Sequence, residues 1–354
     1  MSVTLMFFAG CKKDTAFLGR LGSYNWQADS CALTAESVQN LPLHSEYFAI
    51  KDSLLFSYAP YGEEFSIDIV NIINGKKEGR FFPCGRGHNE YLTVSPIIQF
   101  FNVDSLLKSL VYAPNEMKMM VWNISESLMQ QETIIESVRT SKWNDGYGVP
   151  YSRCVSIGLD SILVYRPSVH ISNNNEITPP LWQIRNYSTN ELIKDIAIYR
   201  PTDNPNSKVL PENFYSTSSC VSPDMNRLAE AMYWLPQINI VNFKKNKICG
   251  YLLKSSDDYS VFKSDMTYAI TYYNGIQVND NYIFALWLGK LFSEEDYIGM
   301  DEIHVFNWDG EMIKRIKLSN HIHSMYLDID SNSLYGYNTD EECIYKFGLK
   351  DIGL

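Results

Sequence analysis

A short motif, in which a turn is followed by an apolar strand, recurs six times along the 354-residue chain. Clear copies are Lys51-Asp52-Ser53-Leu54-Leu55-Phe56 and Leu159-Asp160-Ser161-Ile162-Leu163. Each copy places an aspartate in the turn, where its side chain can bond the local backbone. The six turn aspartates are Asp52, Asp104, Asp160, Asp224, Asp280 and Asp330. Spacings of about 50–60 residues are typical of arrays in which each repeat is one supersecondary unit.

A second repeated element lies between consecutive turns. It is a short β-rich strand that ends in asparagine, as in Ile69-Val70-Asn71 and Val305-Phe306-Asn307. Hairpin signals such as Asn74-Gly75 and Asp309-Gly310 follow several copies, because these pairs accept positive φ angles. Each unit therefore contains four antiparallel strands, A to D, with A–B and C–D turns and a longer B–C loop. The sequence predicts an all-β, six-bladed β-propeller that forms a single domain over residues 12–354.

The sixth unit lacks one strand, because its strand C, at about Ile344–Leu349, almost reaches the end of the sequence. An open ring would leave unpaired strand edges. We therefore predict that the N-terminal segment, residues 12–45, closes the ring, with a stretch near Ala32–Leu41 as strand D of blade 6. Residues 126–138 contain few helix breakers and could be taken for a helix, but we interpret them as the C–D hairpin of blade 2.

The N-terminus contains a short apolar stretch, residues 3–9, followed by Gly10 and Cys11. Phe8-Ala9-Gly10-Cys11 resembles a bacterial lipobox, which implies that residues 1–11 are a signal segment and that Cys11 is lipidated. An apolar core of seven residues is short, and neither Lys nor Arg precedes it. The alternative is an N-terminal β-strand that happens to end in Gly-Cys.

The remaining six cysteines are scattered singly and form no Cys-x-x-Cys pair. This spacing gives no support to a zinc or thioredoxin-like site. An exported protein could form disulfides, but we expect buried free thiols that pack as small apolar side chains. They are Cys31, Cys84, Cys154, Cys220, Cys249 and Cys343.

The net charge of −11 argues against nucleic-acid binding, which requires a basic surface. No apolar run reaches the roughly 18 residues needed to span a bilayer. A lipid on Cys11 would then be the means of membrane attachment. We expect a monomer held at the outer membrane, facing the periplasm or the cell surface.

The chain resembles a known family, the TolB-like six-bladed propeller lipoproteins of Gram-negative gut anaerobes. The resemblance rests on the lipobox-like start, the six repeats and the segment Cys84-Gly85-Arg86-Gly87-His88-Asn89-Glu90-Tyr91. This segment is similar to the family's Gly-x-Gly-x-x-Glu-aromatic loop, although Gly87-His88-Asn89 replaces the usual Gly-Pro-Gly. The resemblance implies a propeller fold and export, but no reaction.

Most candidate binding residues lie on the predicted long loops, because loops held by a rigid scaffold usually carry function, whereas His321 and His323 lie in the shorter loop between blades 5 and 6. Gly85-Arg86-Gly87 could bind an anion through a backbone nest, or it could be a tight turn in which Arg86 and Glu90 pair to hold two blades in register. The aromatic loop around Trp143 could stack on a sugar or peptide, or pack on its own blade. The candidates are Arg86, His88, Glu90, Trp143, Tyr147, Tyr151, Arg153, His321 and His323.

His321 and His323 alternate along an extended segment and could contribute to a metal site, which would require further ligands. The loop carboxylates Asp257, Asp258, Glu294, Glu295 and Asp296 are interpreted as solvated charge, with calcium binding as the alternative. We predict no cofactor and no resident metal. The turn aspartates are the least expected site, because their side chains already bond their own turns.

The sequence contains no Gly-x-Ser-x-Gly, no His-Glu-x-x-His and no recognisable Ser-His-Asp order. The first hypothesis is therefore a non-enzymatic binding module for a protein, a peptide or a glycan, without catalytic residues. The alternative is a metal-dependent hydrolase or lactonase, with His321, His323, Asp257 and Glu90 at the mouth of the central channel. A structural subunit without a small-molecule site is a third possibility.

Overall fold

The computed structural model describes residues 16–353 with several gaps. These gaps are 27, 42, 44, 60–62, 96–98, 141–151, 159, 168, 172–175, 201, 204–214, 255–258, 260–268 and 292–299. Within the described chain, no helix has the length and apolar character needed to cross a membrane.

Six antiparallel sheets, the blades, follow one another along the chain, which confirms the predicted six-bladed propeller. Three strands precede blade 1: β1 (Arg20–Tyr24), β2 (Asp29–Leu33) and β3 (Ser37–Asn40). Blade 1 comprises β4 (Phe48–Lys51), β5 (Leu54–Tyr58), β6 (Phe65–Asn71) and β7 (Lys77–Pro83). Blade 2 comprises β8 (Gln99–Val103), β9 (Leu106–Ala113), β10 (Lys118–Asn123), the helix α1 (Ile124–Gln130) and β11 (Ile135–Thr140).

Blade 3 carries an additional small sheet that pairs a segment of its B–C loop with the connection to blade 4. Its strands are β12 (Arg153–Ser156), β13 (Ser161–Arg166), β16 (Leu181–Asn186) and β17 (Leu192–Ala197), and the small sheet comprises β14 (Val169–Ile171), β15 (Glu176–Thr178) and β18 (Thr202–Asp203).

The last three blades complete the ring, and a 3₁₀ turn at Lys350–Ile352 follows them. Blade 4 comprises β19 (Thr217–Val221), β20 (Arg227–Met232), β21 (Gln237–Asn242) and β22 (Lys247–Leu253). Blade 5 comprises β23 (Ile270–Val278), β24 (Tyr282–Leu291), β25 (Met300–Asn307) and β26 (Met312–Ile322). Blade 6 comprises β27 (Ser324–Asp328), β28 (Ser333–Asn338) and β29 (Cys343–Gly348).

The repeated aspartate turns form the A–B hairpins, as the sequence predicts. In blade 1, Asp52 and Ser53 have φ angles of 54° and 67°, and in blade 2 Asp104 and Ser105 have 52° and 67°. Two consecutive left-handed residues match the twist of the flanking strands. The apolar residues of strands B and C are buried between blades; examples are Phe56 and Trp122, both fully buried.

The ring closes in the predicted way. β3 pairs antiparallel with β29, in a register that runs from Asn40 opposite Cys343 to Ser37 opposite Lys346. We call β3 the closing strand, and we call the joint between blades 6 and 1 the seam. Across the seam the innermost strands β27 and β4 are in contact.

The N-terminal segment does more than close the ring. Phe17 forms a bridge with Tyr199 at the edge of blade 3. β1 then adds in parallel to β22 of blade 4, and β2 adds in parallel to β26 of blade 5. We call Ala16–Leu33 the belt. It makes blades 4 and 5 five-stranded, an arrangement that the sequence analysis does not predict.

The C–D connection of blade 2 departs from the sequence prediction for residues 126–138. It contains the helix α1 instead of a plain hairpin. Asn123 caps the helix, because its Oδ1 accepts a hydrogen bond of 3.0 Å from the backbone N–H of Glu126. The Ser127 hydroxyl accepts a bond of 2.9 Å from the buried Trp122 indole, so the helix is fastened to the core beneath it.

Candidate functional site

A groove of about 560 Å³ opens at the seam, on the face of the ring that carries the A–B turns. The first and last blades both contribute to it, since the turns of blade 1 form one wall and blade 6 forms the other. We call it the seam groove. Its lining residues are Asp52, Ser53, Ile72, Ile73, Asp328, Asp330, Ser331, Tyr335, Ile344 and Lys346.

The two walls are rigid turns whose shape follows from their sequence. On the blade 1 side, the N–H of Ile72 donates to the carbonyl of Ser53 at 2.9 Å, so the C–D turn is fixed to the A–B turn. On the blade 6 side, Asp328 accepts from the Ser331 hydroxyl at 2.5 Å and from the Asp330 N–H at 3.2 Å. Asp328 is thereby committed to its own turn.

The floor of the groove is apolar. Tyr335 and Ile344 are buried, and Ile72 is half-buried beside them. Burial raises the pKa of Tyr335, and the neighbouring Asp328 charge raises it further. At the rim, Ile73 leaves 73% of its surface exposed. An apolar side chain of a ligand would therefore meet apolar surface on more than one side.

The rim of the groove carries more negative than positive charge. An ion pair between Lys51 and Asp330 crosses the seam, and its hydrogen bond raises the pKa of Lys51. Lys346 lies 3.7 Å from Glu36. Asp52 is exposed, and its side chain forms no hydrogen bond or salt bridge in the described part of the chain, although its charge contributes to the raised pKa of the neighbouring Lys51. Four carboxylates thus surround two ammonium groups, and the excess favours a cationic ligand.

Of the residues proposed from sequence, Arg86, His88 and Glu90 lie together in the loop after blade 1. Arg86 and His88 are exposed. The Glu90 carboxylate accepts a hydrogen bond of 2.7 Å from the N–H of Gly87. A Cβ at Gly85 would lie 1.9 Å from Glu90 Oε2, so Glu90 fills the space between the two glycines. Within the described chain, Glu90 caps its own loop and forms no ion pair with Arg86.

Arg153 ties blade 3 to blade 4. Its Nη1 donates to Ser219 Oγ at 2.6 Å, and its Nη2 donates to the carbonyl of Thr217 at 3.0 Å. Its guanidinium also lies over the Tyr165 ring, 5.1 Å from the centroid. Nearby, burial raises the pKa of Glu230, and the charge of Arg153 counteracts that effect. These contacts give Arg153 a role in joining the blades.

His321 and His323 lie in different surroundings. His321 is exposed at the end of β26, whereas His323 is buried between β26 and β27. His323 Nδ1 accepts from the N–H of Thr339 at 3.1 Å, and its Nε2 lies 3.7 Å from Asp340. The described residues contain no group of three or more His, Cys, Asp or Glu arranged to hold a metal.

The other proposed residues cannot be placed. Cys11, Trp143, Tyr147, Tyr151, Asp257, Asp258, Glu294, Glu295 and Asp296 lie outside the described residues. The six cysteines from Cys31 to Cys343 are free thiols; Cys154, Cys249 and Cys343 are buried as expected, whereas Cys31, Cys84 and Cys220 are only partly buried.

A buried hydrogen-bond chain between blades 4 and 5 is a second feature that the sequence analysis misses. Tyr24 of the belt lies 2.9 Å from the Tyr273 hydroxyl, which lies 3.0 Å from His304 Nδ1. His304 Nε2 lies 3.0 Å from Glu302, and Arg315 donates to the same carboxylate oxygen at 2.7 Å. We call this the Tyr–His–Glu chain.

Aromatic rings enclose the Tyr–His–Glu chain. Trp287 stacks on His304 with centroids 4.5 Å apart, and Trp26 of the belt meets both rings edge-on. Burial lowers the pKa of His304 and keeps it neutral near pH 7. Because the Tyr273 hydroxyl is buried and bonded on both sides, the arrangement fastens the belt to blade 5.

The sequence contained one signal for the seam groove. In a closed ring, the first and last repeats must be neighbours, so the turns at Asp52 and Asp330 had to meet. From the sequence alone, all six turn aspartates were instead the least expected site. Asp224 follows that expectation, because its Oδ1 accepts a hydrogen bond of 3.2 Å from the N–H of Asn226, whereas Asp52 and Asp330 line the groove.

These features define the class of protein as a six-bladed β-propeller. Residues 190–332 match the model of the TolB-like 6-blade propeller-like family. The chain is also similar in fold to a DUF4221-family member from Bacteroides vulgatus, with 17% identity, a TM-score of 0.55 and coverage of 89% of this chain and 97% of that one.

A second solved structure with the same fold is a Bacteroides fragilis protein designated as exported. It has 9% identity and a TM-score of 0.51, with coverage of 90% of this chain and 98% of that one. No curated protein matches the chain. Similarity at these identities establishes the propeller fold.

Proposed function

We propose that this protein is a non-enzymatic binding module whose seam groove takes a basic, partly apolar segment of another polypeptide. The observation that carries the proposal is the combination of an apolar floor with an excess of carboxylates at the rim. An extended segment with Arg or Lys beside Leu or Ile would place its cation near Asp52 and its apolar side chain on Tyr335 and Ile344. Such pairing supplies specificity and association rate as well as affinity.

A short peptide tests this proposal directly. The peptide acetyl-Leu-Arg-Leu-Lys-Leu-amide is titrated into the whole protein, and its binding is measured by isothermal titration calorimetry. The control is the same peptide with glutamate in place of both the arginine and the lysine. We expect the basic peptide to bind and the acidic peptide to fail, with affinity falling as salt is raised. Asp52→Asn should weaken binding about fivefold, the size of effect expected for one exposed charge pair.

The matched control variant is Asp104→Asn. Asp104 occupies the equivalent turn position of blade 2, with a φ of 52° against 54° for Asp52, and asparagine tolerates this conformation. It lies outside the groove lining, so its substitution should leave peptide binding unchanged. Equal losses in both variants, or binding of glycans with no binding of the basic peptide, would overturn the proposal.

We also propose that the protein is exported and anchored at the outer membrane through a lipid on Cys11. Support comes from the order Phe8-Ala9-Gly10-Cys11 and from the fold shared with a protein designated as exported. Radioactive fatty acid fed to expressing cells should label the protein and should not label Cys11→Ser. Persistent labelling of the variant would exclude this anchor.

A further inference from the structure

The seam groove lies beside the place where the ring is closed without a covalent link. That link is missing within blade 6, between β29 and the closing strand, and the chain then runs from the closing strand through residues 41–47 into β4 of blade 1. Four residue pairs hold the closing strand to β29. A joint of this size opens more easily than a blade interior, because local openings begin where few contacts must break.

The closing strand and the groove share residues. Glu36 immediately precedes the closing strand, and its N–H donates to the carbonyl of Lys346 at 2.7 Å. The ammonium group of Lys346, which lines the groove, lies 3.7 Å from the Glu36 carboxylate. Movement of the closing strand would therefore shift Glu36, the ion-pair partner of the groove residue Lys346.

The groove floor and the seam are also one packed cluster. Tyr335 and Ile344 form the floor, and they pack with Ile50 and Leu55 of blade 1. Leu41, which follows the closing strand, belongs to the same buried cluster, and its N–H donates to the carbonyl of Glu342 at 3.1 Å. Opening the seam would separate the two walls on which a ligand depends.

We infer that occupancy of the seam groove and pairing of the closing strand are coupled, so that a bound segment clamps the ring shut. The inference rests on the proposed function, since it concerns the same groove. A ligand that touches both walls binds the closed seam better than the open one and shifts the population toward closure. The coupling is reciprocal, so loosening the closing strand weakens ligand binding by the same factor.

Hydrogen exchange of the whole protein, followed by mass spectrometry, tests the coupling. The probe is the basic peptide described above, at about 100 times its dissociation constant. Exchange of Ser37–Asn40 and Cys343–Gly348 should slow by up to about 100-fold, the limit set by mass action. Exchange of the blade 4 strands Arg227–Met232 and Gln237–Asn242 through local openings should not change.

A second arm needs no ligand. Asp330→Asn removes the ion pair that crosses the seam and should speed exchange of Ser37–Asn40 and Cys343–Gly348 about two- to fivefold. Asp104→Asn carries the same charge change away from the seam and should not affect it. This arm keeps the coupling testable if the peptide does not bind.

The outcomes separate the two proposals. Peptide binding without added protection of the closing strand would overturn the coupling and leave the binding function standing. Absence of peptide binding would overturn the proposed function, and the coupling would then be decided by Asp330→Asn. Unchanged exchange in that variant would overturn the coupling, and faster exchange confined to the seam would support it.

Discussion

The belted side of the ring and the seam are held by different kinds of contact. Along blades 3 to 5 the belt inserts buried side chains, including Phe17, Tyr24 and Leu33, and Tyr24 joins the Tyr–His–Glu chain. The seam relies on four strand pairs, an exposed ion pair and one apolar cluster, and it retains a groove of about 560 Å³. The packed side serves stability, whereas the unfilled joint is where a partner can add contacts.

The largest test of this contrast is removal of residues 1–34, which deletes the belt and keeps the closing strand. Burial of Phe17, Tyr24 and Leu33 contributes about 1.5–3 kcal/mol for each side chain. The free energy of unfolding should therefore fall by about 5 kcal/mol or more, a large part of the stability of an ordinary domain. Urea unfolding followed by tryptophan fluorescence measures the loss. A change below about 1 kcal/mol would show that the belt is dispensable.

A single substitution tests how closely the belt packs against blade 4. A Cβ at Gly250 would lie 2.8 Å from the Phe17 ring and 2.8 Å from Gln237 Nε2. Gly250→Ala should therefore push the belt outward and destabilise the protein by about 1–3 kcal/mol. Gly275→Ala is the control, because its Cβ would make an ordinary contact of 3.5 Å with Leu286. Similar thermal unfolding of the two variants would contradict a packing role for Gly250.

The Tyr–His–Glu chain predicts a pH dependence on the belted side. Burial opposes ionisation of Glu302, but hydrogen bonds from His304 and Arg315 outweigh it and lower its pKa to about 2. A folded pKa below the ordinary value of 4.5 means that this stabilisation is complete above pH 4.5 and disappears as the pH falls toward 2.

Glu302→Gln removes the titrating carboxylate, and the stability difference from the parent protein should narrow by about 1–2 kcal/mol between pH 4.5 and 2. Loss of stability from protonation of His304 begins at higher pH, below about 6.5, because its folded pKa is also lowered. Unfolding curves at several pH values separate the loss due to His304, which begins below about pH 6.5, from the loss due to Glu302, which begins below pH 4.5. A difference that stays constant from pH 4.5 to 2 would rule out the assigned role of Glu302.

The smallest expected effect lies at the seam. Lys51→Met removes the ion pair with Asp330, whose side chain is 68% exposed. The loss in stability should be below about 1 kcal/mol and should vanish in 1 M salt. Lys76→Met, which breaks an exposed pair with Glu78 within blade 1, provides the comparison. A salt-independent loss of several kcal/mol would mean that the seam depends on this pair as the belted side depends on buried rings.

Sequence reasoning succeeded where a rule connects pattern to structure over a short distance. The Asp-Ser turns at residues 52 and 104 indicate their own left-handed geometry. The missing strand of blade 6 required a partner, and the stretch near Ala32–Leu41 provided it. The helix α1 was missed because a short helix can replace a hairpin loop when one asparagine caps it and one serine bonds a buried indole.

The candidate site was less predictable than the fold. Loop length directed attention to Arg86 and Arg153, but Arg86 is exposed in the loop after blade 1, whereas Arg153 bonds blade 4. His323, singled out for its spacing from His321, is buried and accepts from the N–H of Thr339. Asp52 and Asp330 were set aside because both lie in turns. What distinguishes Asp330 is Lys51, the partner that it meets across the seam 279 residues away in sequence, and Asp52 lines the same groove.

By itself, the sequence determined the number of blades, the order of their strands and the need for an N-terminal strand to close the ring. Each of these follows from a local pattern or from the count of strands. Only the tertiary structure decided that the belt adds in parallel to blades 4 and 5, and that the seam leaves a groove with excess carboxylates. An edge that accepts a strand, and a gap between turns, exist only after the blades have formed, so no short stretch of sequence specifies either of them.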